Sequence, residues 1–104
     1  MSFTDSGSMQ VTQTPQETLI VVRDRFNAKD LFKLGDLKLP GTPNHKVIVD
    51  IGAVKFMDSS SMGMLLRLKE QLGAADRAIH LRRPSQGVRE MLNTVKFDRL
   101  FTIG

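Results

Sequence analysis

The sequence predicts an α/β fold with a mixed, mostly parallel sheet of about four to five strands and three main helices. Short runs rich in β-branched residues alternate along the chain with segments whose apolar residues recur at helical spacing. One run, Lys46 to Ile51 (KVIVDI), is almost continuously apolar, as in a central strand covered on both faces. Alternating strands and helices favour parallel strands whose connecting helices pack against the sheet.

The first half of the chain predicts two strands and a helix. Residues 1–9 are rich in Ser, Thr and Gly, so we expect a flexible N-terminus followed by a single domain over residues 10–104. Met9 to Thr14 alternates weakly, which indicates a short edge strand, and Thr18 to Val22 (TLIVV) is β-branched and apolar, which predicts a second strand. Apolar residues at helical spacing predict a helix from Asn27 to about Leu37.

The second half predicts two helices and one further strand after the central one. Met and Leu residues at helical spacing predict a helix from Ser60 to about Leu72. Arg77 to Leu81 reads as a short strand. Ser85 is expected to cap a third helix, whose apolar residues recur at i, i+3, i+4 and i+7: Val88, Met91, Leu92 and Val95. Phe97 to Ile103 ends the chain, and we expect it to pack against the core.

The composition excludes several classes of protein. The chain has 104 residues, of which 40% are apolar, enough for one globular core. Cysteine is absent, which excludes disulfides, thiolate chemistry and cysteine-based metal sites. The apolar runs are far too short to span a bilayer, and the polar N-terminus does not resemble a secretory signal. We therefore expect a cytoplasmic protein that does not contact the membrane.

The charge does not point to nucleic acid. The formal net charge is +4, which would suit a nucleic acid or an acidic protein as partner. The basic residues are dispersed, however, and Tyr and Trp, whose rings stack on bases, are absent. We therefore predict no direct nucleic-acid binding. The one dense cluster, residues 80–83 (HLRR), marks either a surface for an acidic partner or a solvated strand end.

Motifs for catalysis, cofactors and metals are missing. His45 and His80 lie far apart in the chain without a partner at ligand spacing, so both are expected to have structural roles. Neither GxxxxGK[ST] nor GxGxxG occurs, and the GxSxG elbow of serine hydrolases is absent. We predict no catalytic residue, no cofactor and no metal ion, and hence a protein that is not an enzyme.

The stretch FMDSSSMGM, residues 56–64, lies where the buried strand gives way to a helix. Either Asp58 or Ser59 can cap this helix by accepting hydrogen bonds from its first free N–H groups. The positive end of the helix dipole also suits a phosphate group on a serine at this position. A phosphate adds about −1.5 to −2 charges and can block the docking of a partner. The stretch is therefore compatible with a cap, a modification site or both.

The same stretch carries a family resemblance. Residues 47–51, Val54, residues 56–60 and residues 62–66 resemble the signature of the STAS domain, in which an apolar strand precedes D-S-[ST]-G-[LA]-G at the start of a helix. Residues 79–101 resemble that family's final strand, third helix and chain ending. Because the chain contains no membrane segment, it resembles the stand-alone anti-sigma factor antagonists (anti-anti-sigma factors) more than the tails of transporters.

The resemblance covers residues 46–103 well and residues 10–45 loosely, and it implies a role in partner switching and signal transduction. In that family the unphosphorylated protein binds an anti-sigma factor that is also a serine kinase of the histidine-kinase-like ATPase type. The kinase phosphorylates the serine after the motif aspartate, which inactivates the antagonist, and a metal-dependent serine phosphatase restores it. Carried over, the phosphorylation site is Ser59, with Ser60 as the rival acceptor. The implied partner-binding residues are Asp58, Ser59, Ser60, Ser61, Met62 and Gly63.

Departures from the family pattern bear on this site. Ser61 stands where the family has glycine, which adds a third hydroxyl and can change the start of the helix. Met62 replaces the usual leucine or alanine, and residues 22–28 lack the family's G-x-[LI]-D. With these departures the chain resembles a divergent subgroup, for which outputs other than sigma-factor release, such as control of surface growth or secretion, stay open. A separate alternative function is a constitutive STAS-type scaffold or assembly subunit without phosphorylation, in which the serines act only as caps.

Overall fold

A computed structural model describes residues 2–6, 9–23, 45–72 and 79–104. These residues contribute six strands to one sheet: β1 (Ser2–Ser6), β2 (Met9–Gln13), β3 (Glu17–Val22), β4 (Lys46–Asp50), β5 (Ile79–Arg82) and β6 (Thr102–Ile103). Helix α1 (Ser59–Leu72) lies between β4 and β5 in the chain. Helix α2 (Gln86–Thr94) and a 3-10 turn (Phe97–Arg99) lie between β5 and β6.

The strands lie side by side in the order in which they occur in the chain. The pairs β1–β2 and β2–β3 are antiparallel, whereas β3–β4, β4–β5 and β5–β6 are parallel. Parallel neighbours need a crossover connection, which contains α1 between β4 and β5 and α2 between β5 and β6. The α/β class with a mixed, mostly parallel sheet is therefore confirmed.

The described residues include two strands that the sequence pattern does not reveal, so the sheet exceeds the expected four to five strands. Strand β1 lies within residues 1–9, for which the sequence predicts flexibility, and it pairs with β2 from Ser2 opposite Gln13 to Ser6 opposite Met9. Strand β6 has two residues and pairs with β5. Neither segment has enough apolar alternation to predict a strand, and only the backbone pairing with a neighbour identifies it.

Two of the three predicted helices lie in the described part of the chain. Helix α1 begins at Ser59, one residue before its predicted start, which is within the usual uncertainty of helix ends. Ser85 caps α2 as predicted, because its hydroxyl accepts a hydrogen bond from the Val88 N–H at 3.2 Å. The helix predicted at residues 27–37 and the start of the strand predicted from residue 77 lie outside the described residues.

One face of the sheet carries the hydrophobic core. A row of buried side chains crosses β2 to β5: Val11, Ile20, Val49 and Leu81. The helices add four buried side chains to the same cluster: Leu65 and Leu68 from α1, and Val88 and Leu92 from α2. The end of the chain packs on this cluster, as predicted, through Phe97 and Phe101, whose ring centroids are 5.7 Å apart.

A buried histidine joins the turn between β2 and β3 to the start of β4. The Nδ1 atom of His45 lies 3.2 Å from the carbonyl oxygen of Pro15, and its Nε2 atom lies 2.8 Å from the hydroxyl of Thr18. Both nitrogens of this ring are therefore engaged within the fold. That arrangement fits the structural role expected for His45 from the sequence.

Candidate functional site

The connection from β4 to α1 is anchored by three apolar side chains. Ile51, Val54 and Met57 are each at most 1% exposed, whereas the residues between them point to solvent. Phe56 is one of these outward residues, and 67% of its surface is exposed. Most of the apolar area of this phenylalanine therefore stays in water instead of being buried by the fold. The connection is therefore fixed to the core and carries a large apolar side chain at the surface.

Asp58 caps helix α1. Its Oδ1 atom accepts a hydrogen bond from the N–H of Ser61 at 2.8 Å, and its carbonyl oxygen accepts from the N–H of Met62 at 3.0 Å. A side-chain acceptor at this position satisfies one of the four N–H groups that the start of a helix leaves unpaired. Of the two capping residues that the sequence leaves open, Asp58 and Ser59, the structure therefore selects Asp58.

The three serines of the first turn do not share one environment. Ser59 and Ser60 are exposed, whereas Ser61 is 6% exposed. Each residue of an α-helix turns by about 100°, so Ser61 shares the inward side with Leu65, four positions further on, and both are buried. The hydroxyl that the chain has in place of the family glycine therefore lies inside the fold. The surface hydroxyls at this site belong to Ser59 and Ser60.

The outward side of α1 continues from Ser59 through Gly63 to Leu66, at spacings of four and three residues. Leu66 is 39% exposed, and Met62 beside this stripe is half-buried. A Cβ atom added at Gly63 would meet nothing within 4 Å. We call Phe56, Ser59, Ser60, Gly63 and Leu66 the serine surface. It combines two hydroxyls, a bare stretch of helix backbone and two exposed apolar side chains.

The start of α1 favours negative charge, and Asp58 already supplies one. The first turn of α1 contains no acidic residue, and the carboxylate of Asp58 lies at the positive end of the helix dipole. A phosphate group on Ser59 would benefit from the same dipole and would stand next to the Asp58 carboxylate. Such a modification therefore changes the charge of the serine surface without removing its cap.

A polar contact that the sequence pattern does not reveal lies at the start of the connection from β4 to α1. Arg83 donates from Nε and Nη2 to Oδ2 of Asp50, at 3.2 and 2.8 Å. The Oδ1 atom of Asp50 accepts from the N–H of Gly52 at 2.9 Å. Arg83 belongs to the basic cluster for which the sequence suggests an acidic partner or a solvated strand end, and its partner lies within the chain. The signal available in the sequence is the single aspartate in the apolar run VIVDI.

Neither a metal-binding cluster nor a membrane-spanning helix occurs in the part of the chain that the structure describes. Among the described residues, no group of three or more His, Cys, Asp or Glu side chains is placed to hold a metal ion. In the same part of the chain, no helix combines the length and the apolar character needed to cross a membrane.

Comparison with known families decides the identity of the fold. A family model described as "Mlab, STAS domain" matches residues 9–102, which is most of the chain. The chain belongs to the STAS family. A STAS-domain containing protein of Pseudomonas aeruginosa (strain UCBPP-PA14) is 33% identical over 101 residues, which cover 91% of this chain and 99% of that protein. The resemblance drawn from residues 46–103 is therefore confirmed.

Solved structures of STAS domains share this fold. An anti-sigma-factor antagonist (STAS) domain protein from Planctomyces limnophilus superposes with a TM-score of 0.72 at 20% identity, over 89% of this chain and 86% of that one. The anti-sigma factor antagonist SpoIIAA in its unphosphorylated form gives a TM-score of 0.56 at 17% identity, over 88% and 96% of the two chains. This STAS domain therefore has the fold of anti-sigma factor antagonists.

Proposed function

We propose that this STAS protein is a phospho-regulated binding module of a cytoplasmic partner-switching pathway. In its unphosphorylated form it binds an anti-sigma factor that is also a serine kinase of the histidine-kinase-like ATPase type. Phosphorylation of Ser59 by that kinase switches binding off, and a metal-dependent serine phosphatase restores it. The protein is the substrate in these reactions and catalyses none of them.

One observation carries the proposal: two exposed serines lie at a helix start that is already capped, between an exposed apolar side chain before the helix, Phe56, and another on its outward side, Leu66. The cap comes from Asp58, so it does not depend on the hydroxyl of Ser59. Phe56 and Leu66 offer apolar area that the fold leaves in water, as expected of a surface that a partner covers. Ser59 lies on the same outward stripe as Leu66, so a charge on Ser59 would fall inside the covered area.

Charge and desolvation explain how the switch would work. A phosphoserine carries about −1.5 to −2 charges, and burying it in an apolar interface without a cationic partner is costly. The Asp58 carboxylate next to it adds a negative charge of the same sign. The fold need not change, because Ser59 is exposed and the helix dipole favours the anion. Phosphorylation would therefore act on docking far more than on folding.

The choice of Ser59 over Ser60 rests on the motif, in which the serine directly after the aspartate is the acceptor. Both side chains are exposed, so either is open to a kinase. Ser61 is 6% exposed and is the poorest substrate of the three. Its place among the partner-binding residues is best explained by its N–H bond to Asp58, which supports the surface from inside.

A paired affinity purification tests the function. Immobilised Ser59→Ala and Ser59→Asp proteins are incubated with lysate of the native cells, and bound proteins are identified by mass spectrometry. We expect a protein with a histidine-kinase-like ATPase domain on Ser59→Ala and a strong loss of it on Ser59→Asp. The matched control Ser60→Asp adds the same charge one residue away. Equal recovery on Ser59→Ala and Ser59→Asp would refute the switch.

A second candidate is a constitutive scaffold or assembly subunit. The exposed area of Phe56 and Leu66 favours it, because apolar docking needs no modification. Under this alternative the same partner is recovered on both Ser59 variants and is lost from a Phe56→Ala, Leu66→Ala double variant. The two functions therefore differ in whether a charge at Ser59 changes the recovery of the partner. Both of them use the serine surface.

A further inference from the structure

We propose that Asp50 and Arg83 are positioning residues for the serine surface, which makes this inference dependent on the function proposed above. One oxygen of the Asp50 carboxylate holds the Gly52 N–H, and the other holds the guanidinium of Arg83. Asp50 ends β4 and Arg83 directly follows β5. The pair therefore ties the point where the connection to Ser59 leaves the sheet to the end of the neighbouring strand.

The contact around Gly52 is tightly fitted. A Cβ atom at this position would lie 3.1 Å from Oδ1 of Asp50 and 3.2 Å from Nη2 of Arg83. Both distances are shorter than ordinary van der Waals contacts of a Cβ, so a side chain would press against the ion pair. Glycine permits this close approach of backbone to charged groups. The backbone of the connection is thus placed directly against the Asp50–Arg83 pair.

Arg83 has an uncommon backbone conformation directly after β5. Its φ is 58°, in the left-handed region that is uncommon for residues other than glycine. A residue stays in such a conformation when its surroundings over-determine it, and these outliers concentrate at functional sites. At Arg83 the constraints are the two bonds to Asp50 and a bond from its own N–H to the carbonyl oxygen of Gly104, at 3.3 Å.

The pair is built for position more than for global stability. The side chain of Arg83 is 67% exposed and that of Asp50 is 10% exposed. Solvent screens an ion pair with one exposed partner, so such pairs add little to the stability of the whole fold. The Nε and Nη2 atoms of Arg83 nevertheless both donate to the same oxygen, Oδ2 of Asp50. We therefore expect the loss of Arg83 to loosen the connection locally while the core remains folded.

Backbone hydrogen bonds continue from the pair as far as Val54, and buried side chains follow up to the residue before the cap. The Ile51 N–H donates to the Arg82 carbonyl oxygen at 3.0 Å, which extends the β4–β5 pairing past Asp50. The Val54 N–H then donates to the Ile51 carbonyl oxygen at 3.0 Å. Val54 and Met57 are buried, and Met57 directly precedes the cap residue Asp58. We therefore expect a displacement at Gly52 to act on the start of α1 through the backbone of Ile51 and Val54, while Val54 and Met57 stay anchored in the core.

Amide hydrogen exchange of the full chain tests the positioning role directly. We expect Arg83→Ala to accelerate exchange at the Gly52 N–H by about two- to fivefold, because the guanidinium no longer holds in place the carboxylate that accepts from this N–H. Arg83→Gly should do the same, which separates the lost side chain from the unusual backbone of this residue. Arg83→Lys keeps the cation and should restore part of the protection. Arg89→Ala is the matched control, since it removes an exposed guanidinium on α2.

The functional arm measures the fraction of Ser59 that is phosphorylated in native cells at equal protein level. We expect Arg83→Ala to change this fraction at least twofold and Arg89→Ala to leave it unchanged. Unchanged exchange at Gly52 in both Arg83→Ala and Arg83→Gly would overturn the positioning role, as would faster exchange with unchanged phosphorylation. If the wild-type protein carries no phosphate on Ser59, the proposed function fails, and the exchange result alone decides whether the pair holds the connection.

Discussion

The Oδ1 atom of Asp58 lies 2.8 Å from the backbone nitrogen of Ser61, so a carboxylate closes the start of helix α1. This relationship separates two roles that the sequence stretch DSSS leaves mixed. The aspartate and the N–H of the third serine form the cap. The first two serines remain at the surface, where a partner or a kinase can reach them.

Removal of the cap should cost more stability than removal of the adjacent hydroxyl. We expect Asp58→Ala to lower the free energy of unfolding by about 0.5–2 kcal/mol, the usual range for a lost N-cap. Ser59→Ala should change it by less than about 0.5 kcal/mol, as for most surface substitutions. Urea denaturation followed by circular dichroism measures both. An equal loss for the two variants would mean that Ser59 shares the cap.

The inward position of Ser61 predicts a clear contrast with its neighbour. Ser61 is 6% exposed, so Ser61→Leu forces extra atoms into a packed region and should destabilise the fold by about 1–3 kcal/mol. Ser60→Leu places the same side chain in solvent and should change stability by less than about 0.5 kcal/mol. Midpoints of urea denaturation compare the two. Similar midpoints would contradict the placement of Ser61.

Two adjacent leucines of α1 should separate stability from binding. Leu65 is fully buried, so Leu65→Ala should cost about 2–5 kcal/mol through lost burial and a cavity. Leu66 is 39% exposed, and Leu66→Ala should leave stability nearly unchanged while it weakens recovery of the partner in affinity purification. If the partner is recovered equally well on Leu66→Ala, then Leu66 does not contribute to partner binding.

Two glycines should respond in opposite directions to the same substitution. An added Cβ meets nothing at Gly63, so Gly63→Ala should stabilise the helix by up to about 1 kcal/mol. At Gly52 the Cβ would lie 3.1 Å from Oδ1 of Asp50, and because the bonds to the Gly52 N–H and to Arg83 hold this carboxylate in place, Gly52→Ala should destabilise the protein. Thermal unfolding midpoints give the sign of each effect. A lower midpoint for Gly63→Ala would indicate a contact that this helix face does not have in the structure.

Much of the fold follows from local patterns in the sequence. The run KVIVDI predicts the central strand, and the spacing of Met and Leu predicts α1 to within one residue of its start. Strand β1 escapes such reasoning, because its residues lack a periodic apolar pattern and pair with β2 through the backbone. The sequence also indicates the serine stretch, since it interrupts the change from strand to helix with more polar groups than a cap requires.

The contact between Asp50 and Arg83 could not be predicted from the sequence, because only the fold brings these two residues together. Asp50 and Arg83 are 33 positions apart in the chain, and they meet because β4 and β5 are parallel neighbours with Asp50 opposite Arg82. No local pattern contains this pairing. The burial of Ser61, by contrast, is predictable from the sequence. Ser61 lies four residues before Leu65, one of the apolar residues of the predicted helix, and so falls on the same side of it.

Phosphorylation of Ser59 is expected to prevent this protein from binding its partner. The most direct measurement compares the partner-bound and free fractions of the protein from native cells by peptide mass spectrometry. Cleavage after Lys55 and Arg67 yields one peptide with all three serines, in which fragment ions assign the phosphate. We expect phosphate on Ser59 in the free fraction and its near absence in the bound fraction. Equal phosphorylation of Ser59 in the two fractions, or none in either, would contradict it.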